Sequence, residues 1–86
     1  MPIIAMFLGI LIRMQYDDHL PPHFHAEYGE SSGTFNLEGD MLNGDMPTKY
    51  QTIITAWTLI HQDELRANWI VLREAVEPFR IEGVRF

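Results

Sequence analysis

The hydrophobic pattern of this chain changes period at Pro47, and that change sets the fold class. Before Pro47, short apolar stretches alternate with polar residues and are broken by Gly, Pro, Asp and Asn, the signature of strands joined by turns. After it, no proline or glycine intervenes until about Val76. Ile53, Ile54, Trp57, Ile60, Leu65, Trp69, Leu72 and Val76 supply a broad apolar face there at helical spacing. Strands are expected over about 3–16, 23–28 and 34–38, and a helix, or two abutting helices, over about 47–76. Pro47 suits a first helical turn and Asp45 suits a cap before it. Residues 39–47 read as a turn-rich link between sheet and helix. The segment from Glu77 onward starts with a stop at Pro78 and either adds an edge strand or lies over the core.

A lone hairpin is not stable in water, whereas a sheet covered by a helix encloses one core. The expected fold is α+β: an antiparallel meander of three to four strands packed against a long C-terminal helical segment. At 86 residues the chain makes one domain, 1–86, near the lower end of what a single core stabilises.

Composition narrows the function classes. The formal charge is −6, and the few basic residues (Arg13, Lys49, Arg66, Arg73, Arg80, Arg85) are scattered. Duplex binding rests on neutralising phosphates, so no direct nucleic-acid binding is expected, and a basic protein partner is the more natural one. Cysteine is absent, which removes disulfides, thiolate metal sites and a Cys nucleophile. That absence fits a cytoplasmic setting. The apolar run Ile3 to Ile12 falls short of the roughly 20 residues a membrane span needs. It also lacks the flanks of a signal peptide.

The chemistry concentrates in Asp17-Asp18-His19-Leu20-Pro21-Pro22-His23-Phe24-His25-Ala26-Glu27-Tyr28. His23, His25 and Glu27 recur at every second position, so an extended backbone puts all three on one sheet face and Phe24, Ala26 and Tyr28 on the other. Two imidazoles and a carboxylate so placed suit a metal site, an acid–base site or a polar recognition surface. The two histidines stand about 6–7 Å apart along the backbone, close enough to share one ion. An ion held there would be zinc or manganese, on His23 and His25 with His19 or Glu27, but the expectation is a polar recognition surface that binds metal adventitiously or not at all. Asp17 and Asp18 form a possible carboxylate pair, but neighbouring side chains point apart and Asp before a proline turn is ordinary. A second polar group falls on the helix, where Trp57, His61, Glu64 and Asn68 share one narrow stripe. That stripe either faces the histidines and completes a pocket or forms a structural network. The structural network is the expectation. No phosphate-binding glycine loop and no nucleophile motif occurs.

DDHLPPHFHAEYGE, then GDMPTKY, then WTLIHQDELRANW together resemble a small bacterial family, the domain of unknown function numbered 4160. The likeness runs from about Ile3 to Val76. Its motif residues are His19, Pro21, Pro22, His23, His25, Glu27, Pro47, Trp57, His61, Glu64, Leu65, Asn68 and Trp69. The resemblance implies small cytoplasmic proteins often encoded beside another short domain, in the manner of two-gene toxin–antitoxin or regulatory modules. It implies no reaction.

Two functions follow as expectations. One is a protein-interaction or regulatory module, its partner a neighbouring small protein and its period-two face a recognition surface. The other is a small metal-dependent hydrolase or nuclease built on His19, His23 and His25.

Overall fold

The computed structural model describes residues 2–16 and 18–83. Five strands, β1 (Ile3–Phe7), β2 (Ile10–Arg13), β3 (His23–Tyr28), β4 (Ser31–Asn36) and β5 (Met41–Asp45), precede two helices, α1 (Thr48–Ile60) and α2 (Gln62–Arg73). The strands form one sheet in the order β1-β2-β3-β4-β5, every neighbouring pair antiparallel. The α+β meander with a C-terminal helical segment is therefore as expected, with one strand more than its upper count.

The additional elements arise where local conformation overrides the residue pattern. The single strand expected over 3–16 is instead the hairpin β1–β2, turned at Leu8 and Gly9, both with positive φ (51° and 79°). Two-residue hairpin loops of the type I′ class require that conformation at both central positions. Leucine rarely adopts it, which hides the turn inside an apolar run. β4 begins at Ser31 rather than 34, so the turn cluster after Tyr28 is shorter than its composition implies. Residues 41–45, read as part of a linker, form the edge strand β5. Asn36 closes the preceding loop, its Oδ1 accepting from the backbone N–H groups of Glu38 and Asp40 at 3.0 and 2.9 Å. A bulge between Thr34 and Phe35 in the β4–β5 register skips Leu42, which is exposed.

The helical segment is two helices meeting at His61 (φ −112°). No proline or glycine marks the break. Thr58 Oγ1 donates back to the carbonyl of Ile54 at 2.7 Å, a contact that bends helices. Asp63 and Glu64 lie in the first turn of α2, where carboxylates suit the helix dipole. The N-cap of α1 is Pro47 itself, without a side-chain cap, so Asp45 does not play the capping role expected of it. After Arg73, Ala75 turns to φ 58° while Val76 N–H reaches Val71 O at 2.9 Å and Ala75 N–H reaches Leu72 O at 3.1 Å. This Schellman closure ends α2 before Val76.

One sheet face and the helices enclose the core. Ile4, Ile10, Ile12, Phe24, Ala26 and Phe35 from the strands meet Ile54, Trp57, Leu65, Trp69 and Leu72 from the helices. Phe24 stacks on Phe35 at 5.6 Å and meets Trp57 edge-on at 5.9 Å. Ile60 and Val76, expected on the apolar face, are 75% and 49% exposed, because the His61 break and the α2 stop move them out of phase. Tyr16, within the strand expected over about 3–16, lies beyond the end of β2 and is exposed. The tail lies along β1 without forming a regular strand. Ile81 is buried and its N–H donates to Ile4 O at 2.8 Å. Among the described residues no helix is long and apolar enough to cross a membrane.

Candidate metal centre

β3 places the period-two residues as its alternation requires. Phe24 and Ala26 enter the core, while the pairing register puts His25 opposite Arg13 and Thr34, and Glu27 opposite Leu11 and Ser32, on the outer face. A shallow concavity of about 220 Å³ opens on this face, lined by His25, Glu27, Ser32, Thr34 and Asn43 among others. His23 is the exception to outward exposure. At the strand's first position its ring faces Trp69 of α2 at 5.5 Å, and its side chain is only 4% exposed.

The carboxylate that meets the histidines is Asp18, from the loop between β2 and β3. Its side chain is 6% exposed, and Oδ2 lies 2.9 Å from Nε2 of His23 and 3.8 Å from Nε2 of His25. One ligand atom each from Asp18, His23 and His25 lie within 4.8 Å of one another. α2 pins this loop: Arg73 Nη1 donates to Asp18 O at 3.0 Å, and the same guanidinium sits 5.8 Å from the Trp69 ring centroid. The Leu20–Pro21 peptide is cis, and the carbonyl of Pro21 accepts a hydrogen bond from Nδ1 of His23 at 2.7 Å. A carbonyl only accepts, so the proton stays on Nδ1 and Nε2 of a neutral His23 presents its lone pair to the cluster.

His19 stands at the rim, 83% exposed, with Nδ1 2.9 Å from Asp18 Oδ1. Glu27 is engaged by Arg13, whose Nε donates to Oε1 at 3.0 Å. Asp18 thus occupies the place that the sequence offered to Glu27 or His19. Asp17, the other half of the candidate carboxylate pair, lies outside the described residues. Sequence spacing misses Asp18 because four residues of loop separate it from His23 and only the tertiary path of that loop returns it. Arg73 is missed for the same reason.

The helix stripe serves another part of the molecule. His61 Nδ1 and Glu64 Oε1 pair at 2.6 Å across the α1–α2 junction. Buried Asn68 donates to Phe79 O at 2.9 Å and accepts from Phe79 N–H at 3.0 Å, while Trp57 Nε1 donates to Glu82 O at 2.7 Å. The hydrogen bonds of Trp57 and Asn68 therefore fasten the C-terminal segment, and those of His61 and Glu64 close on each other rather than on Asp18, His23 or His25.

Electrostatics in the cluster favour its unprotonated form. Burial holds His25 below its ordinary 6.5, with a further push from His23, against the opposing pull of Asp18 and Glu27. Burial alone would raise Asp18, but the His19 backbone N–H and then the charges of His23, His19 and His25 outweigh it and hold the carboxyl below 3.8. In both cases the folded protein binds fewer protons than the unfolded chain does. The associated stability is fully present above the unfolded value and is lost as pH falls through the folded one. In metal-free protein kept in chelator, urea midpoints should hold above pH 6.5, then decline on acidification as His25 protonates. A second decline from Asp18 begins only below 3.8. His25→Gln should flatten the first decline. An undiminished descent in that variant would assign it to another group.

Residues 9–70, well over half of the chain, match the model of a family described as Domain of unknown function (DUF4160). No curated protein and no solved structure matches the chain.

Proposed function

Because this chain belongs to the DUF4160 family, whose description names no activity, we propose from its surface that it is a small cytoplasmic protein-interaction module. Its partner is a basic protein, as in a two-protein regulatory pair of the toxin–antitoxin kind. The observation that supports this reading is an apolar groove of about 370 Å³ whose walls include Pro22, Leu37, Leu42, Arg66, Trp69 and Ile70. Leu42 and Ile70 stand 48% and 57% exposed at this groove. Apolar pockets of this kind receive the aromatic or aliphatic anchors that dominate protein interfaces. The charge of −6 favours a basic partner, steering the encounter while the groove takes an apolar side chain.

Co-expression with the product of the neighbouring gene tests the reading. A stoichiometric complex should form, and Ile70→Glu or Leu42→Glu should weaken it by at least tenfold. Leu59→Glu, at an equally exposed leucine on α1 away from the groove, should leave it intact. No complex, or a complex indifferent to the groove substitutions, would overturn the proposal.

A second reading, a small metal-dependent hydrolase or nuclease using zinc or manganese, is favoured by the convergence of Asp18, His23 and His25. It needs a resident ion with a position open to substrate.

A further inference from the structure

We infer that Asp18, His23 and His25 are the protein ligands of one divalent transition-metal ion, with zinc the ion best matched to their chemistry. The inference supplies the centre on which the hydrolase reading rests, yet it stands without that reading, since an ion held here serves equally well as a structural tie.

Two buried atoms carry the argument. Asp18 Oδ2 and His25 Nε2 are shielded from solvent and have no hydrogen-bond partner among the described residues. His23 Nε2 does lie 2.9 Å from Oδ2, but the two are not aligned as a hydrogen bond. Buried polar atoms left unpaired are costly and uncommon in folded proteins. Protonating His23 improves matters for Oδ2 only, and His25 Nε2 stays unpaired. A single cation between the three residues engages both orphan atoms and the His23 lone pair together.

The geometry fits such an ion. Tetrahedral zinc with bonds of about 2.0–2.1 Å sets its ligand atoms about 3.3 Å apart. The two separations from Oδ2, 2.9 and 3.8 Å, fall on either side of that spacing, and the three ligand atoms lie within 4.8 Å of one another, so a bound ion would draw the two imidazoles together. Nitrogen and oxygen ligands without thiolate suit zinc and its first-row neighbours. Groups around the ligands are placed as metal sites require. Nδ1 of His23 donates to the carbonyl of Pro21 at 2.7 Å, fixing the ring with Nε2 toward the centre. Nδ1 of His25 lies 3.4 Å from Thr34 Oγ1. Asp18 Oδ1 accepts from the His19 N–H at 2.8 Å, which orients the carboxylate and leaves Oδ2 for the ion. The loop that carries Asp18 is in turn held to α2 by Arg73. A water donating to Oδ2 and to Nε2 of His25 is the competing occupant, and it predicts no metal dependence.

The test is a calorimetric titration of the whole protein with zinc, after metal is stripped by chelator and the chelator is removed. The wild type should bind one equivalent, and zinc should raise its melting temperature. Asp18→Asn and His25→Gln should each lower the affinity by more than tenfold. His61→Gln, which alters the other histidine–carboxylate pair, should leave it unchanged. Nitrogen-15 spectra of the wild type provide a readout that needs no variant: zinc should shift the Nε2 resonances of His23 and His25 and leave those of His61 in place. Absence of one-equivalent binding, equal binding by all variants, or shifts confined to His19 or His61 would overturn the inference. One equivalent of zinc without hydrolytic activity would remove only the hydrolase. The Ile70→Glu comparison answers separately for the docking groove.

Discussion

Trp57→Ala should lower the free energy of unfolding by about 3–5 kcal/mol, as removal of a fully buried aromatic does when its cavity cannot collapse. Trp57 is 1% exposed and lies in the core between α1 and the sheet. Its ring lies 5.1 Å from Phe7 of β1, 5.9 Å from Phe24 of β3 and 5.6 Å from His61 at the helix junction. The indole N–H also donates to Glu82 O at 2.7 Å, tying the tail to α1. Trp57→Phe separates the two contributions. It keeps much of the ring volume and removes the hydrogen bond, so it should cost less, about 0.5–1.5 kcal/mol from that bond plus a smaller packing loss. Urea melts of both variants decide the point. Equal losses would assign the effect to the hydrogen bond, and an unchanged midpoint for Trp57→Ala would contradict the packing.

Much of this architecture is legible in the sequence, for a physical reason that also marks its limit. Alternation along His23–Tyr28 fixes which face each residue takes, because a one-residue slip would exchange the buried Phe24 and Ala26 with His25 and Glu27. The Pro47 boundary and the glycine-free stretch after it likewise place the helices. What the pattern hides is set by single backbone conformations or by long-range contacts. Leu8 turns a hairpin at a position where a leucine gives no warning, and the Thr58 hydroxyl and His61 break a helix without proline or glycine. The site behaves similarly. His23 and His25 are found by their spacing, which is local. Asp18 becomes their neighbour only once α2 holds its loop through Arg73, and no periodicity encodes a contact between residues 18 and 73. Glu27, equally well spaced, is drawn to Arg13 on the adjacent strand instead. The His61, Glu64 and Asn68 stripe illustrates the converse: helical spacing groups these residues correctly, but the surface they meet is the tail from Phe79.

The edge strand β5 provides the sharpest check on the part of the fold the sequence conceals. Asn43, Gly44 and Asp45 read as turn residues, yet Gly44 pairs with Gly33 in the β4–β5 ladder. Its φ is +106°, and a Cβ built on it would stand 2.4 Å from Ser32 O and 2.5 Å from Gly33 Cα, both backbone atoms that cannot swing aside. Gly44→Ala therefore combines left-handed backbone strain of about 1–2 kcal/mol with overpacking of about 1–3 kcal/mol, for an expected loss of about 2–5 kcal/mol. Gly29→Ala is the matched control. Gly29 also has positive φ, +57°, but a Cβ there would meet nothing within 4 Å. That variant should show the backbone strain alone. The difference between the two urea midpoints isolates the close approach of β5 to β4. Hydrogen exchange should show the loss beginning at β5, since an edge strand can peel away while the β1–β4 core remains paired. If both alanine variants lose the same stability, or if Gly44→Ala leaves the protection of residues 41–45 unchanged, then β5 does not hold the sheet edge as this register requires.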